Sequence, residues 1–269
     1  MQKQVVLITG ASSGLGKAIG VFLTEKGFKV YGTSRNPSKI SDFTVFELLQ
    51  LDVNNNDTIK QAVATILSKE NRLDILINNA GIGITGPIED TPEAEIKKAF
   101  DTNFYGPLRV ANAVLPQMRK QGKGLIINVT SIAGYMGLPY RGFYSAVKAA
   151  LISLTETLSG EVKQFGITVA DVAPGDFKSN IAAGRYHTPV FENSAYKEAY
   201  TKVLKQIDEE VDTGMDVQVM VNEVYKVIQS KKPKLHYKAG AFMQKFSIVL
   251  KFLLPSRTYE KLILNHYKL

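Results

Sequence analysis

What most limits the folds open to this chain is a series of short apolar runs, each closed by turn residues and separated from the next by a stretch of helical period. The runs occupy residues 5–8, 29–32, 43–51, 73–77, 125–129, 168–172 and, more weakly, 235–239. Most are continuous rather than alternating, the pattern of strands covered on both faces, as in a parallel sheet. Between them, residues 16–25, 57–68, 93–119, 145–163 and 216–229 carry helical periodicity, and Thr91-Pro92 fits an N-cap followed by Pro at the first helical position. Strands joined through helices require right-handed crossovers. The expected architecture is therefore α/β: a doubly wound parallel sheet of about seven strands with helices on both faces. No repeat, low-complexity stretch or linker divides the chain, so residues 1–240 read as one domain. Residues 180–214 are an aromatic insertion in it, and 241–269 are a basic, apolar extension of the same domain, broken at Pro255.

Composition removes several chemistries. The 269 residues include no Cys, which excludes disulfides, Cys-ligated zinc, iron–sulfur clusters and a thiolate nucleophile. The three His are dispersed through the last third, so no metal site is expected. The first apolar run is too short for a secretory signal, and no stretch reaches the ~18 apolar residues that cross a bilayer. A cytoplasmic protein is expected. The net charge of +8 is uneven: residues 226–269 hold ten Lys or Arg against one Glu. Such asymmetry suits a solvated helix face or an anionic partner. Phe242, Phe246, Val249 and Leu253 recur at helical spacing with Lys245 and Lys251 among them. Packing, on the body or across a subunit interface, is the first reading of this tail, and peripheral contact with a membrane surface the second.

The first apolar run enters Thr9-Gly10-Ala11-Ser12-Ser13-Gly14-Leu15-Gly16 and then a helix. Glycines there let backbone approach a pyrophosphate, which the free N–H groups of a helix N-terminus favour. The plain alternative is a tight turn packing helix on strand. At the end of the second strand stand Ser34 and Arg35, where an acid would bond a ribose 2′-hydroxyl. A guanidinium pairs with a 2′-phosphate, so NADP(H) is expected ahead of NAD(H), unless Arg35 is only a surface residue in its Arg-Asn-Pro turn. Tyr144 and Lys148 lie four apart at the start of a helix, on one face, and Ser131 closes the fifth strand. A nearby cation favours phenolate and lowers a phenol's pKa toward the working range of an acid–base. A strand-end hydroxyl can hold a carbonyl oxygen.

Together these motifs resemble the short-chain dehydrogenase/reductase family, a Rossmann-like fold, over residues 3–240. The turn at 9–16 looks like the family's T-G-x-x-x-G-x-G, and Asp52-Val53 is similar to its adenine-contacting pair. Asn78-Asn79-Ala80-Gly81 matches N-N-A-G, and Asn103 sits where the family has a catalytic Asn. Ser131, Tyr144 and Lys148 match the catalytic Ser and Y-x-x-x-K. Pro174-Gly175-Asp176-Phe177-Lys178-Ser179 looks like P-G-x-V-x-T, departing at Phe177 and Ser179. The resemblance implies hydride transfer between nicotinamide and a carbonyl or alcohol carbon. Tyr144 would be the general acid–base, Ser131 the holder of the oxygen, and Lys148 the group that lowers the Tyr144 pKa and bonds the nicotinamide ribose. Asn103 would hold a water relaying protons to Lys148.

Cofactor contacts implied by the resemblance fall on Gly10, Ser12, Ser13, Gly14, Leu15, Gly16, Ser34, Arg35, Asp52, Val53, Asn79, Ala80 and Gly81. They continue through Tyr144, Lys148, Pro174, Gly175, Phe177 and Ser179. Within the family the chain looks most like NADP-dependent hydroxysteroid and retinol dehydrogenases. A small apolar carbonyl or alcohol substrate follows (steroid, retinoid, keto-lipid or aldehyde), roofed by the 180–214 aromatics and the tail. Family likeness also implies a homodimer or homotetramer. The alternative, a catalytically silent dinucleotide sensor of the same fold, is expected to have lost Tyr or Lys, and both are present. No motif for reading nucleic acid occurs, so no such partner is expected.

Overall fold

The computed structural model describes residues 3–40, 43–177 and 184–269. All seven apolar runs form strands of one parallel sheet, ordered β3-β2-β1-β4-β6-β7-β9. These are β1 (Val5–Ile8), β2 (Lys29–Ser34), β3 (Glu47–Gln50), β4 (Ile75–Asn78), β6 (Gly124–Val129), β7 (Ile167–Pro174) and β9 (His236–Ala239). Alternate side chains of a strand leave on opposite faces, so the central strands feed two cores. Val6 and Ile8 join Leu15, Ile19 and Leu23 of α1 (Gly14–Glu25) and Met220 and Val224 of α7 (Val217–Gln229). Val5 and Leu7 join Ile59 and Ile66 of α2 (Asn56–Glu70) with Val110 and Val114 of α4 (Gly106–Gln121) on the other face. Hence the runs are continuously apolar. Strand order reverses between β1 and β4, and a crevice opens beyond the carboxyl ends of sheets wound this way.

Three expectations need correction. The helical stretch 93–119 is not one α-helix: α3 (Glu93–Phe100) passes into a π-segment, Asp101–Tyr105, before α4 resumes. Pro107 gives the physical reason. It has no N–H for the carbonyl of Asn103 four residues earlier, and its ring would press on that carbonyl in a regular helix. Thr91 is not the N-cap; its hydroxyl donates to the Pro87 carbonyl at 2.6 Å, and Pro92 itself caps α3. The third strand is shorter than its apolar run because Phe43 and Phe46 leave the strand and pack edge to face.

The inserted region supplies β8 (Tyr186–His187), which pairs in parallel with β5 (Ile84–Thr85), and α6 (Lys197–Asp212). The helix α5 (Gly142–Val162) precedes β7. The tail forms α8 (Phe242–Leu253) and α9 (Ser256–His266), hinged at Pro255. Ile248 and Tyr259 anchor it against Ile132, Met136 and Ala173, so packing on the body is what one side of the tail does.

Candidate active site

Thr9 ties the glycine turn to the end of β4. Its hydroxyl accepts from the Asn79 and Ala80 N–H groups, each at 3.0 Å, while Asn79 Nδ2 donates to the carbonyls of Thr9 and Gly10. Gly10 has φ +64°, and a Cβ there would stand 3.0 Å from the Ala80 Cα, so turn and strand end close on each other only through glycine. A Cβ at Gly16 would fall 2.5 Å from the Gly10 carbonyl oxygen. Ser13 opens α1 without capping it through its side chain, and the first helical bond is from Lys17 N–H to the Ser13 carbonyl. The N–H groups of Gly14, Leu15 and Gly16 therefore have no partner inside the helix, which suits a bound anion.

At the neighbouring strand ends, Ser34 terminates β2 and Arg35 follows it, exposed and in no ion pair among the described residues. Beyond β3, Asp52 accepts from the Asn54 N–H, and Val53 is buried against Gly106. The residues at these strand ends fit a dinucleotide: uncapped amides beside a left-handed glycine turn, then a hydroxyl and a free cation one strand away.

On the far side of the switch point, Ser131 follows β6 and accepts from the Ala133 N–H at 3.1 Å. Tyr144 lies in the first turn of α5, close enough for the Ser131 hydroxyl to favour its ionised form, while that hydroxyl itself donates to the Pro174 carbonyl at 3.4 Å. Lys148, one turn on and buried, donates to the Val129 carbonyl at 3.0 Å, with Nζ 5.9 Å from the Tyr144 ring centre. Ser131, Tyr144 and Lys148 are thus brought together at the carboxyl edge of the sheet. A buried chain of polar groups fixes α5 to the strands: Asn78 donates to Asn128, Asn128 to Thr155, and Thr155 to the Leu151 carbonyl.

Burial raises the Tyr144 phenol above its ordinary pKa, and the Ser131 hydroxyl, Arg141 and Arg185 pull it back. Burial pushes Lys148 itself down to about 8. Removing one of the two guanidinium charges must raise the phenol further. In the alcohol-oxidising direction, which needs phenolate, Arg141→Gln is expected to move the rising limb of the pH–rate profile to higher pH. Arg141→Lys, which keeps the charge, should stay near wild type; coincident profiles for all three proteins would refute this account.

Asn103 sits inside the π-segment, fully buried. Its Nδ2 donates to the carbonyls of Ile82 and Ala99, each at 2.9 Å, and its Oδ1 accepts from the Ile82 N–H. Both amide hydrogens are consumed, so the side chain braces the strand end at 81–82. Its main-chain carbonyl stands four residues before Pro107, which has no N–H to give it. Gly81 lies between the two residues: a Cβ there would be 2.7 Å from Asn103 Oδ1 and 3.8 Å from Lys148 Nζ.

A cavity of about 580 Å³ opens beside Tyr144 and Ser131, within the range of small-molecule sites. Leu15, Pro174, Gly175 and Phe177 line it; Ser179 lies outside the described residues. Its apolar wall comes from Met136, Leu138, Leu250, Tyr259 and Ile263, and a polar stretch from Arg141, Asp176, Arg185, Glu210 and His266. The tail therefore supplies much of the roof, but Tyr186, Phe191, Tyr196 and Tyr200 do not line the cavity. Tyr200 instead packs on Tyr140 with ring centres 5.3 Å apart, and its hydroxyl donates to the Thr85 carbonyl. Sequence reasoning missed Arg141 and Arg185. Arg141 Nη1 is 3.7 Å from Asp176 and Arg185 Nη1 is 3.5 Å from Asp208, both side chains being about nine-tenths buried.

Comparison with known proteins agrees with this geometry. The family model for short chain dehydrogenases matches residues 4–189. The chain is 40% identical over 261 residues to the 3-ketodihydrosphingosine reductase of Bacteroides thetaiotaomicron, covering 97% of this chain and 96% of that protein. Among solved structures, a short-chain dehydrogenase from Streptomyces avermitilis superposes with a TM-score of 0.83 at 31% identity, over 99% of this chain and 96% of that one. The NADP-bound protein ElxO does so with a TM-score of 0.70 at 26% identity, over 88% and 97%. The chain belongs to the short-chain dehydrogenase/reductase family. It is an oxidoreductase acting on carbonyl or alcohol groups with a nicotinamide dinucleotide. Among the described residues no helix is long and apolar enough to cross a membrane.

Proposed function

We propose that this protein uses NADPH to reduce the ketone of a long-chain amphiphile, one with a polar head close to the carbonyl. The observation that carries the reading is the single cavity in which Ser131 and Tyr144 face a long apolar wall and a charged stretch together. Each methylene buried on that wall favours binding by ~0.8 kcal/mol, which selects chain length. Arg141, Asp176, Arg185 and Glu210 offer both charge signs to a head group, and the relative from Bacteroides thetaiotaomicron is named for a keto-lipid of this kind.

The bound dinucleotide supplies the hydride to the carbonyl carbon. Ser131 holds the substrate oxygen, and Tyr144 gives its hydroxyl proton to that oxygen as negative charge builds on it. Lys148, charged below about pH 8, places a cation one helical turn from the phenol and has N–H groups left to orient the ribose. The Asn103 carbonyl and a water restore the proton through Lys148. Ser34 and Arg35 favour a 2′-phosphate, hence NADP(H) over NAD(H).

Loss of NADPH absorbance with a panel of ketones tests the reading: 3-ketodihydrosphingosine, a 3-oxoacyl thioester, a ketosteroid, retinal and a short aldehyde. The long-chain amphiphile is expected to exceed the others at least tenfold in kcat/KM. A steroid or short aldehyde as the best substrate would overturn the substrate class. No turnover of any of them would favour the sensor reading.

A further inference from the structure

The tail does more than wall the cavity. Helix α8 buries only one strip, around Ile248, whereas Phe242, Met243, Phe252 and Leu253 are 66–75% exposed and Phe246 and Val249 are exposed beside them. At ~100° per residue these side chains cover about half the circumference of the helix. Phe242 and Phe246 stack on each other with ring centres 5.8 Å apart, so the surface is a continuous apolar one. Exposed patches of this kind on otherwise ordinary surfaces mark contact sites.

Two further observations identify the partner. Met243 is exposed and also lines the cavity, as does the half-buried Leu250, so the outer face of α8 and the space beside Tyr144 share apolar side chains. The segment 226–269 carries ten Lys or Arg and one Glu, with Lys245 and Lys261 exposed on α8 and α9. Two copies of this chain meeting through that face would set like charges against each other. An anionic phospholipid surface would meet both the apolar face and the charge.

We infer that the exposed face of α8 docks on an anionic phospholipid bilayer, from which an amphiphilic ketone enters the cavity past Met243 and Leu250. Docking stands on the helix and its charge alone; the entry route rests on the proposed keto-lipid activity. The full chain is sedimented with vesicles of phosphatidylglycerol and phosphatidylcholine in equal parts, or of phosphatidylcholine alone. At least tenfold more protein is expected on the anionic vesicles. The variant Phe242→Ser/Phe252→Ser/Leu253→Ser should lose at least tenfold of that binding while reducing a water-soluble ketone as wild type does, and should slow on ketone embedded in vesicles. Lys245→Glu/Lys261→Glu should weaken binding to the anionic vesicles alone.

Equal binding by wild type and triple variant, or no binding by wild type, overturns the inference. So does a wild-type oligomer that the triple variant dissociates, since the face then belongs to a second copy. Vesicle binding without turnover of any ketone would leave docking standing and remove the proposed activity.

Discussion

Tyr144→Phe is expected to lower kcat by roughly 10³-fold, within the range that one positioned proton donor contributes. NADPH binding, read by fluorescence, should change less than twofold. The ring of Tyr144 stays in the first turn of α5, and the helix-start amides of Gly14, Leu15 and Gly16, proposed to meet the phosphates, lie on another element. What disappears is the hydroxyl beside Ser131 whose proton, in the proposed reaction, the substrate oxygen receives. A Phe variant with wild-type kcat would remove Tyr144 from the chemistry, and with it the proposed role of the whole Ser–Tyr–Lys group. A variant that instead lost NADPH binding would show the phenol to be a cofactor anchor.

Under the proposed preference for NADP(H), exchanging Arg35 for Glu should reverse the choice of dinucleotide. Arg35 is exposed just past the end of β2, and a guanidinium-to-phosphate contact there is charge-assisted. Losing such a bond costs about 1.5–3 kcal/mol, so KM for NADPH is expected to rise on the order of ten- to a hundredfold. NADH has no 2′-phosphate to repel, and its KM should hold or fall, because the new carboxylate can accept from the ribose hydroxyl. Unchanged ratios of kcat/KM for the two dinucleotides would place the discrimination elsewhere.

The central strands were legible because they are covered on both faces, which forces continuous apolar runs such as 5–8 and 73–77. The glycine turn was legible for a related reason: Gly10 and Gly16 stand where any side chain would strike backbone, so composition and geometry coincide. Where several groups share one position, pattern reading failed. Residues 93–119 keep helical period through the π-segment, since one wider turn shifts the apolar face only slightly; Pro107 was the available signal. Arg141 and Arg185 carry no periodicity, one ending the turn before α5 and the other preceding β8, and only the fold brings both to the phenol. The aromatics of 180–214 looked like a ligand roof because packing side chains and ligand walls use the same residue types.

In the proposed reading the parts that grip the nucleotide come mainly from residues 9–81, whereas much of the cavity wall offered to the ketone's chain comes from α8 and α9 at the other end of the polypeptide. Mutational drift in the closing helical hairpin can therefore retune which ketone is accepted without disturbing the redox half of the enzyme. Swapping that hairpin between homologues is accordingly a practical route to altered selectivity.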